Sequence, residues 1–377
     1  MSKTAAVLVV SLVLAGVASA ASEAPLSIAR QGYLYAGGEY RAVGEQQYVS
    51  GALYAEYQIP AKQRHPYPIV MVHGRDQTGT NFTGTPDGRE GWAQYFLRRG
   101  YAVYVVDTPG RGRAGYRPEL YGPAADAGFR LDQQRFMFPE LYNPWPEAKL
   151  HTQWPAGPTL EDPVNQQFLA GQLPTIADFA EQQALNRKAL GALIDKVGPV
   201  ILLTHSQSGA FGWPALDDRP GKVKGLIQVE PNGPPVHDLD YVGAPDYFRE
   251  LPADNRPWGL TAERLTYSPA VASPSELKFE REPASESKPY VRCWRQAGAP
   301  RQLVNLRKAP ILIVTSEASY HAGYEHCTVR YLEQAGVRPT WIELGKAGIH
   351  GNGHMMMLEK NSDAVAGVIE RWAAKIR

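Results

Sequence analysis

The stretch 199–209, Pro-Val-Ile-Leu-Leu-Thr-His-Ser-Gln-Ser-Gly, constrains this chain more than any other. Its apolar run reads as a strand buried on both faces, and it stops abruptly in small and polar residues. The residues that follow, 210–216, can open a helix. A strand that turns at once into a helix, with a serine at the apex, lifts that hydroxyl clear of the backbone. It also aims the next amide and the helix start at any developing negative charge. Two positions face each other across such a turn and must be small; here they are Thr204 and Ser208, around His205-Ser206-Gln207. The apolar run ends at Leu203, which puts the apex nearer Ser206. A register with Ser208 as the nucleophile is the alternative, and a polar loop after a buried strand is the plain reading.

The first 20 residues read as an export leader. Lys3 supplies the charge, 5–14 the apolar core and Ala18-Ser19-Ala20 the small-residue cleavage site. That core is shorter than the ~20 residues needed to cross a bilayer, and no cysteine stands near the cleavage site. The mature chain, 21–377, is expected to work in the periplasm or as a secreted protein, without a stable membrane anchor. Lysine and arginine number 39 against 38 aspartates and glutamates, with no block of one sign, which disfavours nucleic acid and anionic membrane surfaces as partners. The two cysteines, Cys293 and Cys327, suit one disulfide in an oxidising compartment; two buried thiols are the alternative. Their spacing matches no usual zinc pattern.

Strand and helix patterns alternate along the chain. The segments 32–40 and 48–59 read as an antiparallel edge meander. Buried strands are expected at 67–72, 101–106, 199–203, 223–229, 310–314 and 340–344, with helices at 91–97, 179–197, 323–334 and after Asn361. This implies an α/β fold, a mostly parallel central sheet with helices on both faces. Ligands of such sheets bind beyond the carboxyl ends of the strands, where His73, Asp107, Ser206, Glu230 and Glu317 all fall. Two stretches break the alternation, 115–175 and 232–305. The first is rich in aromatics: Tyr116, Tyr121, Phe129, Phe136, Phe138, Tyr142, Trp145 and Trp154. Both read as lid insertions that wall an apolar, partly aromatic pocket.

A serine nucleophile needs a base, and the base needs a carboxylate to orient it. The loop after the last strand, 345–354, offers His350 and His354. His354 is preferred because it precedes Met355-Met356-Met357-Leu358, which would pin the loop to the core and lead into the last helix. A metal on the two histidines is disfavoured: Gly351 and Gly353 oppose a helix, and no acid lies between. The turn after strand 310–314 runs Thr315-Ser316-Glu317-Ala318-Ser319, so Ser319 stands where an aspartate is expected and Glu317 comes too early. Glu230, at the tip of the preceding strand and followed by Pro231, is preferred as the acid, with Glu317 the alternative. The oxyanion donors are expected to be the amides of Gln207 and of Arg75, the latter in the turn after His73-Gly74. His205 reads as structural and Asp107 as a turn cap.

These residues resemble the α/β-hydrolase superfamily, and more narrowly a small group of secreted bacterial esterases with a His-Ser-Gln-Ser-Gly nucleophile elbow and a glutamate triad acid. The matching pieces are 205–209, Val229-Glu230-Pro231, Thr85-Pro86-Asp87-Gly88-Arg89, Gly110-Arg111-Gly112-Arg113, His350-Gly351-Asn352 and His354-Met355-Met356-Met357. The resemblance implies a triad of Ser206, His354 and Glu230, no metal or cofactor, and a lid over a largely apolar pocket. Where that group can have two adjacent cysteines after His-Gly, this chain has Arg75-Asp76, so the rigidity of that turn must come from hydrogen bonds or be absent. The segment 232–305 looks longer than the group leads one to expect. The expected activity is hydrolysis of a small-molecule carboxylic ester with a bulky apolar moiety, through an acyl-enzyme. An amide, lactone or polymer hydrolase would share the residues, and a non-catalytic exported binding protein would keep only the pocket.

Overall fold

The computed structural model describes residues 24–126, 128–252, 255–283 and 291–377; the expected leader lies outside them. Eight strands form one sheet: β1 Ile28–Val43, β2 Gln46–Pro60, β3 Ile69–Val72, β4 Val103–Asp107, β5 Val200–His205, β6 Val223–Val229, β7 Ile311–Thr315 and β8 Thr340–Glu343. Their order is β1-β2-β4-β3-β5-β6-β7-β8. The β1–β2 hairpin closes through Gly44 at φ +60 and joins β4 antiparallel. Every later pairing, from β4–β3 to β7–β8, is parallel.

The central strands are mostly apolar because both of their faces are covered, with polar residues such as His205 and Gln228 toward the carboxyl ends. Alternate side chains serve opposite cores. Ile69, Met71, Ile201 and Leu203 pack on one side with Trp92 and Phe96 of α1 (Trp92–Arg98) and Val365, Ile369 and Trp372 of α6 (Ser362–Ala373). Val70, Val72, Val200 and Leu202 pack on the other side with Leu190 and Ile194 of α3 (Phe179–Val197) and Phe211 and Trp213 of α4 (Gly209–Asp218). The expected helices at 91–97, 179–197 and after Asn361 are therefore present, and α3 opens on Asp178, whose carboxylate accepts from the amides of Ala180 and Glu181. Met355 to Leu358 are buried as expected but form turns; α6 begins only at Ser362, and Ile376 lies beyond its end.

After β3 the chain crosses to β4 on one side and returns to β5 on the other. The carboxyl ends of β3 and β5 thus flank a point where the strand order reverses, the usual place for a crevice. The segment 115–175 is a run of short turns and helices, the longest being α2 (Pro163–Ala170). The segment 232–305 holds short hairpins, among them Leu239–Gly243 with Tyr247–Glu250. Cys293, from this second segment, is disulfide-bonded to Cys327 in α5 (Glu325–Gln334), as an oxidising compartment would allow.

Candidate active site

Ser206 is the first residue after β5 and sits at φ +56, a left-handed conformation that side chains rarely adopt. Neighbouring contacts hold it there. The Asn232 amide donates to the Ser206 carbonyl at 2.8 Å. A Cβ on Gly209 would lie 2.4 Å from Pro231 Cβ, and one on Gly74 only 2.9 Å from Ser206 Cβ. The closest approach therefore falls at Gly209 rather than at Thr204 or Ser208, which is why small hydroxyl residues suffice at those two positions. The Thr204 hydroxyl donates to Gln228 Oε1 at 2.5 Å. Ser208 Oγ accepts from the His205 amide at 2.9 Å and lies 2.8 Å from the Val72 carbonyl, fastening β5 to β3. Ser208 is buried and spent in this way, whereas Ser206 lines the cavity.

His354 and Glu230 are brought together. His354 Nδ1 donates to Glu230 Oε2 at 2.5 Å, and both side chains are buried. Glu230 stands at φ +45 directly after β6, which turns its side chain into the site. Its carboxylate is saturated. Oε1 accepts from the Ser316 amide (2.8 Å) and hydroxyl (2.5 Å), and Oε2 also accepts from the Ser319 hydroxyl at 2.8 Å. Burial raises the Glu230 carboxyl above its ordinary value, and the Ser316 and Ser319 bonds oppose that rise. His354 Nε2 is buried and makes no hydrogen bond, including none to Ser206. Burial, with nearby His321 and Arg135, holds His354 well below the ordinary histidine range, so Nε2 carries a lone pair at neutral pH.

The alternative pair goes elsewhere. His350 is 65 % exposed and its Nδ1 donates to Glu317 Oε1 at 3.0 Å, while Glu317 Oε2 accepts from the Gly351 amide. His205 Nε2 donates to the His354 carbonyl at 3.1 Å. His73 donates to the Gly74 carbonyl and accepts from the Thr108 amide. Asp107 accepts from the amides of Gly79 and Arg113 and from Arg113 Nε, which organises the turns after β3 and β4.

Arg75 and Gln207 both line a cavity of about 390 Å³ that opens on Ser206. The Arg75 turn is held from outside: Asp76, at φ +60, accepts the Leu173 amide at 2.7 Å, and Arg111 donates to the Gln77 carbonyl at 3.0 Å. Hydrogen bonds from Leu173 of the first insertion and from Arg111 in the turn after β4 thus hold a turn that has Arg75-Asp76 in place of adjacent cysteines. The expected wall of aromatics needs correction. Of the eight aromatics named in 115–175, only Phe136 lines the cavity. Phe138, Trp145 and Trp154 are consumed by the core, while Phe129 and Tyr142 face solvent. The lining is mixed: Phe136, Tyr241, Tyr320 and Tyr324 beside Arg75, Arg135, Asp238 and Asp240.

Sequence reasoning missed several of these residues. Tyr320 lies with its ring 4.8 Å from that of His354, and its hydroxyl reaches the Ser206 side chain; burial keeps the phenol protonated. The His321 ring stacks on His354 at 5.1 Å and 7°, and its Nδ1 donates to buried Glu325 at 2.7 Å. Neither follows a recognisable spacing, though Ser316 and Ser319 lay in the turn already singled out. Glu230, His321 and His354 lie close enough to share an ion, as do Cys293, His326 and Cys327. In the first group both Glu230 oxygens are already engaged, and in the second both sulfurs are in the disulfide.

The comparisons with known proteins agree with this architecture. A solved structure described as a novel bacterial esterase superposes with a TM-score of 0.60, covering 94 % of this chain and 98 % of its own, at 22 % identity. The probable secreted lipase phiG of Fungal sp. (strain ATCC 74256) is 39 % identical over 345 residues, 91 % of this chain and 89 % of that protein. The family model described as the alpha/beta hydrolase family matches residues 69–368, from the first residue of β3 into α6. The chain belongs to the alpha/beta hydrolase family.

Proposed function

We propose that this protein is an exported serine hydrolase of small carboxylic esters, with Ser206 as nucleophile, His354 as base and Glu230 as the acid that orients it. The observation that carries the reading is the His354–Glu230 bond with Nε2 left bare, beside a serine held at φ +56 in the strand-to-helix turn. The lipase named at 39 % identity supports ester chemistry and export, as does the leader read in 1–20.

In the first half-reaction Ser206 Oγ attacks the ester carbonyl while its proton passes to His354 Nε2. Glu230 accepts from Nδ1 and stabilises the imidazolium. The carbonyl oxygen, now anionic, takes the amides of Arg75 and Gln207. Collapse breaks the bond to the alcohol oxygen, which leaves with the proton from His354. Water then repeats the sequence on the acyl-serine, giving the acid and the original serine. The Phe136, Tyr241, Tyr320 and Tyr324 rings offer an apolar flank for the substrate.

A fluorophosphonate should label the protein at one residue, Ser206, by peptide mass spectrometry. Ser206→Ala should lower turnover on the order of 10⁴-fold or more, while Ser208→Ala should still label. Labelling at Ser208, or undiminished hydrolysis by Ser206→Ala, would overturn the assignment.

A further inference from the structure

Two cations, Arg75 and Arg135, and two anions, Asp238 and Asp240, line the cavity, and all of them but Arg135 are paired with a charged neighbour. Asp238 is paired with Arg256 at 2.6 Å and accepts from Asn255; Asp240 is paired with Arg249 at 2.6 Å. Arg75 is paired with Asp76 at 3.2 Å. His321 is neutral, since burial lowers its value to about 4. That leaves Arg135, which lines the same cavity as Ser206 and, among the described residues, has no ion pair and no hydrogen bond. Its guanidinium carbon lies 4.5 Å from the Tyr241 ring centroid, and its charge is also felt by Asp238, whose carboxylate is already held by Arg256 at 2.6 Å.

The position of Arg135 is built. The next residue, Phe136, is buried with its ring stacked on His354, centroids 5.4 Å apart. That contact fixes the turn that carries Arg135 against the catalytic loop. Tyr241 is fixed in turn by the rings of Trp145 at 5.7 Å and Tyr320 at 4.9 Å. The charge reaches the chemistry, since it acts on His354 and Tyr320. A guanidinium laid on an aromatic face keeps its N–H edge available, and that edge matches a planar carboxylate with two parallel hydrogen bonds. An unpaired cation in a partly desolvated cavity has a strong electrostatic preference for an anionic ligand.

We propose that Arg135 is a specificity residue that binds a carboxylate on the substrate, so that the preferred substrates are half-esters of dicarboxylic acids, with the ester carbonyl at Ser206 and the free acid at Arg135. The inference rests on the ester-hydrolase reading of Ser206 and deepens it.

The test is the ratio of kcat/KM for the monobenzyl ester of glutaric acid to that for benzyl pentanoate, which replaces the carboxylate by a methyl group. In the wild-type protein this ratio should exceed about 10, the effect of a charge-assisted hydrogen bond. It should fall roughly 10- to 100-fold in Arg135→Gln, mainly through KM, and be partly restored in Arg135→Lys, which keeps the charge without the fork. A wild-type ratio at or below one, with turnover lost in Ser206→Ala, overturns the inference alone. So does an unchanged ratio in Arg135→Gln. Turnover of both esters that survives Ser206→Ala overturns the serine reading and this inference with it.

Discussion

Ser319 occupies the position after β7 where the sequence leads one to expect a triad aspartate, and its hydroxyl donates to Oε2 of Glu230, the acid proposed above, at 2.8 Å. In the proposed triad the carboxylate comes from the neighbouring strand, and the short side chain of Ser319 supports it. Glu230 thus depends on donors from a turn that carries no charge of its own toward it: the Ser316 amide, the Ser316 hydroxyl and Ser319. Two graded substitutions follow from this. Glu230→Gln keeps the volume but removes the charge that stabilises the imidazolium, and kcat should fall by about 10²- to 10⁴-fold. Ser319→Ala removes one of four acceptor bonds and should lower kcat by roughly 3- to 30-fold with KM nearly constant, as expected for loss of one hydrogen bond to a charged group that acts through His354. Steady-state kinetics on one ester checks both, and a Ser319→Ala enzyme with wild-type kcat would remove Ser319 from the support. At this scale the sequence was readable where a residue followed a strand end, as Ser206 and Glu230 do. Arg135, Tyr320 and His321 were not readable, because only tertiary packing brings their side chains to His354.

At the scale of elements, the first insertion is strapped across the loop that carries His354. The Thr152 amide donates to the Gly351 carbonyl at 3.0 Å, and the Lys360 amide donates to the Gln153 carbonyl at 2.9 Å. Between these strands of contact lies His151, buried, with Nδ1 2.8 Å from Glu140 Oε2 and Nε2 2.9 Å from Glu359 Oε1. Glu359 also accepts from the amide of Gly353 and from Asn352, the two residues before His354. Burial alone would lower His151, but the two carboxylates outweigh it and raise the ring to about 9. The folded value lies above the ordinary 6.5, so folding favours the protonated ring. Its contribution is complete below about 6.5 and is lost as pH rises through about 9, for a total on the order of 3 kcal/mol. Thermal midpoints of the wild-type protein should therefore fall between those pH values, and His151→Gln should be less stable at pH 6 with a flatter profile above it. Parallel profiles for the two proteins would exclude the latch. The elements themselves differ in how far the sequence declares them. β3 and β7 and the first four residues of β5 are continuous apolar runs, β6 is apolar at five of its seven positions counting Gly225, and α6 has a clean helical period, so the sequence declares them. The segment 115–175 has no period, so its sequence does not separate aromatics that line the cavity from those that fill the core. Trp145 shows why: its ring is in the core and its Nε1 donates to the Ala318 carbonyl at 2.9 Å, behind the site and not in it.

At the scale of the whole molecule, a legible sheet carries two long segments that no local pattern explains, and their attachment decides the shape of the cavity. The first is tied by the His151 strap. The second, 232–305, supplies Asp238, Tyr241 and Asn255 to the cavity and is joined to α5 by the Cys293–Cys327 bridge. Just before that helix come Tyr320, His321 and Tyr324, which also line the cavity, and the Tyr320 ring packs on that of Tyr241 with centroids 4.9 Å apart. The bridge therefore fastens the second segment to the helix that follows these lining residues, rather than stapling the sheet. Its cysteines are 34 residues apart, and closing a loop of that length restricts the unfolded chain by about 3 to 4 kcal/mol. A site wall that loosens locally should raise KM before the sheet unfolds. In Cys293→Ser/Cys327→Ser the thermal midpoint should drop by several degrees and KM should rise, while kcat, which the proposed triad at the ends of β5 and β6 and in the loop after β8 would set, should change less. A thiol reductant should move the wild-type protein toward the double variant and leave the variant itself unmoved. If wild-type protein with two titratable thiols keeps both its midpoint and its KM, the cavity walls are held by packing alone, and the second insertion stands without its covalent tie.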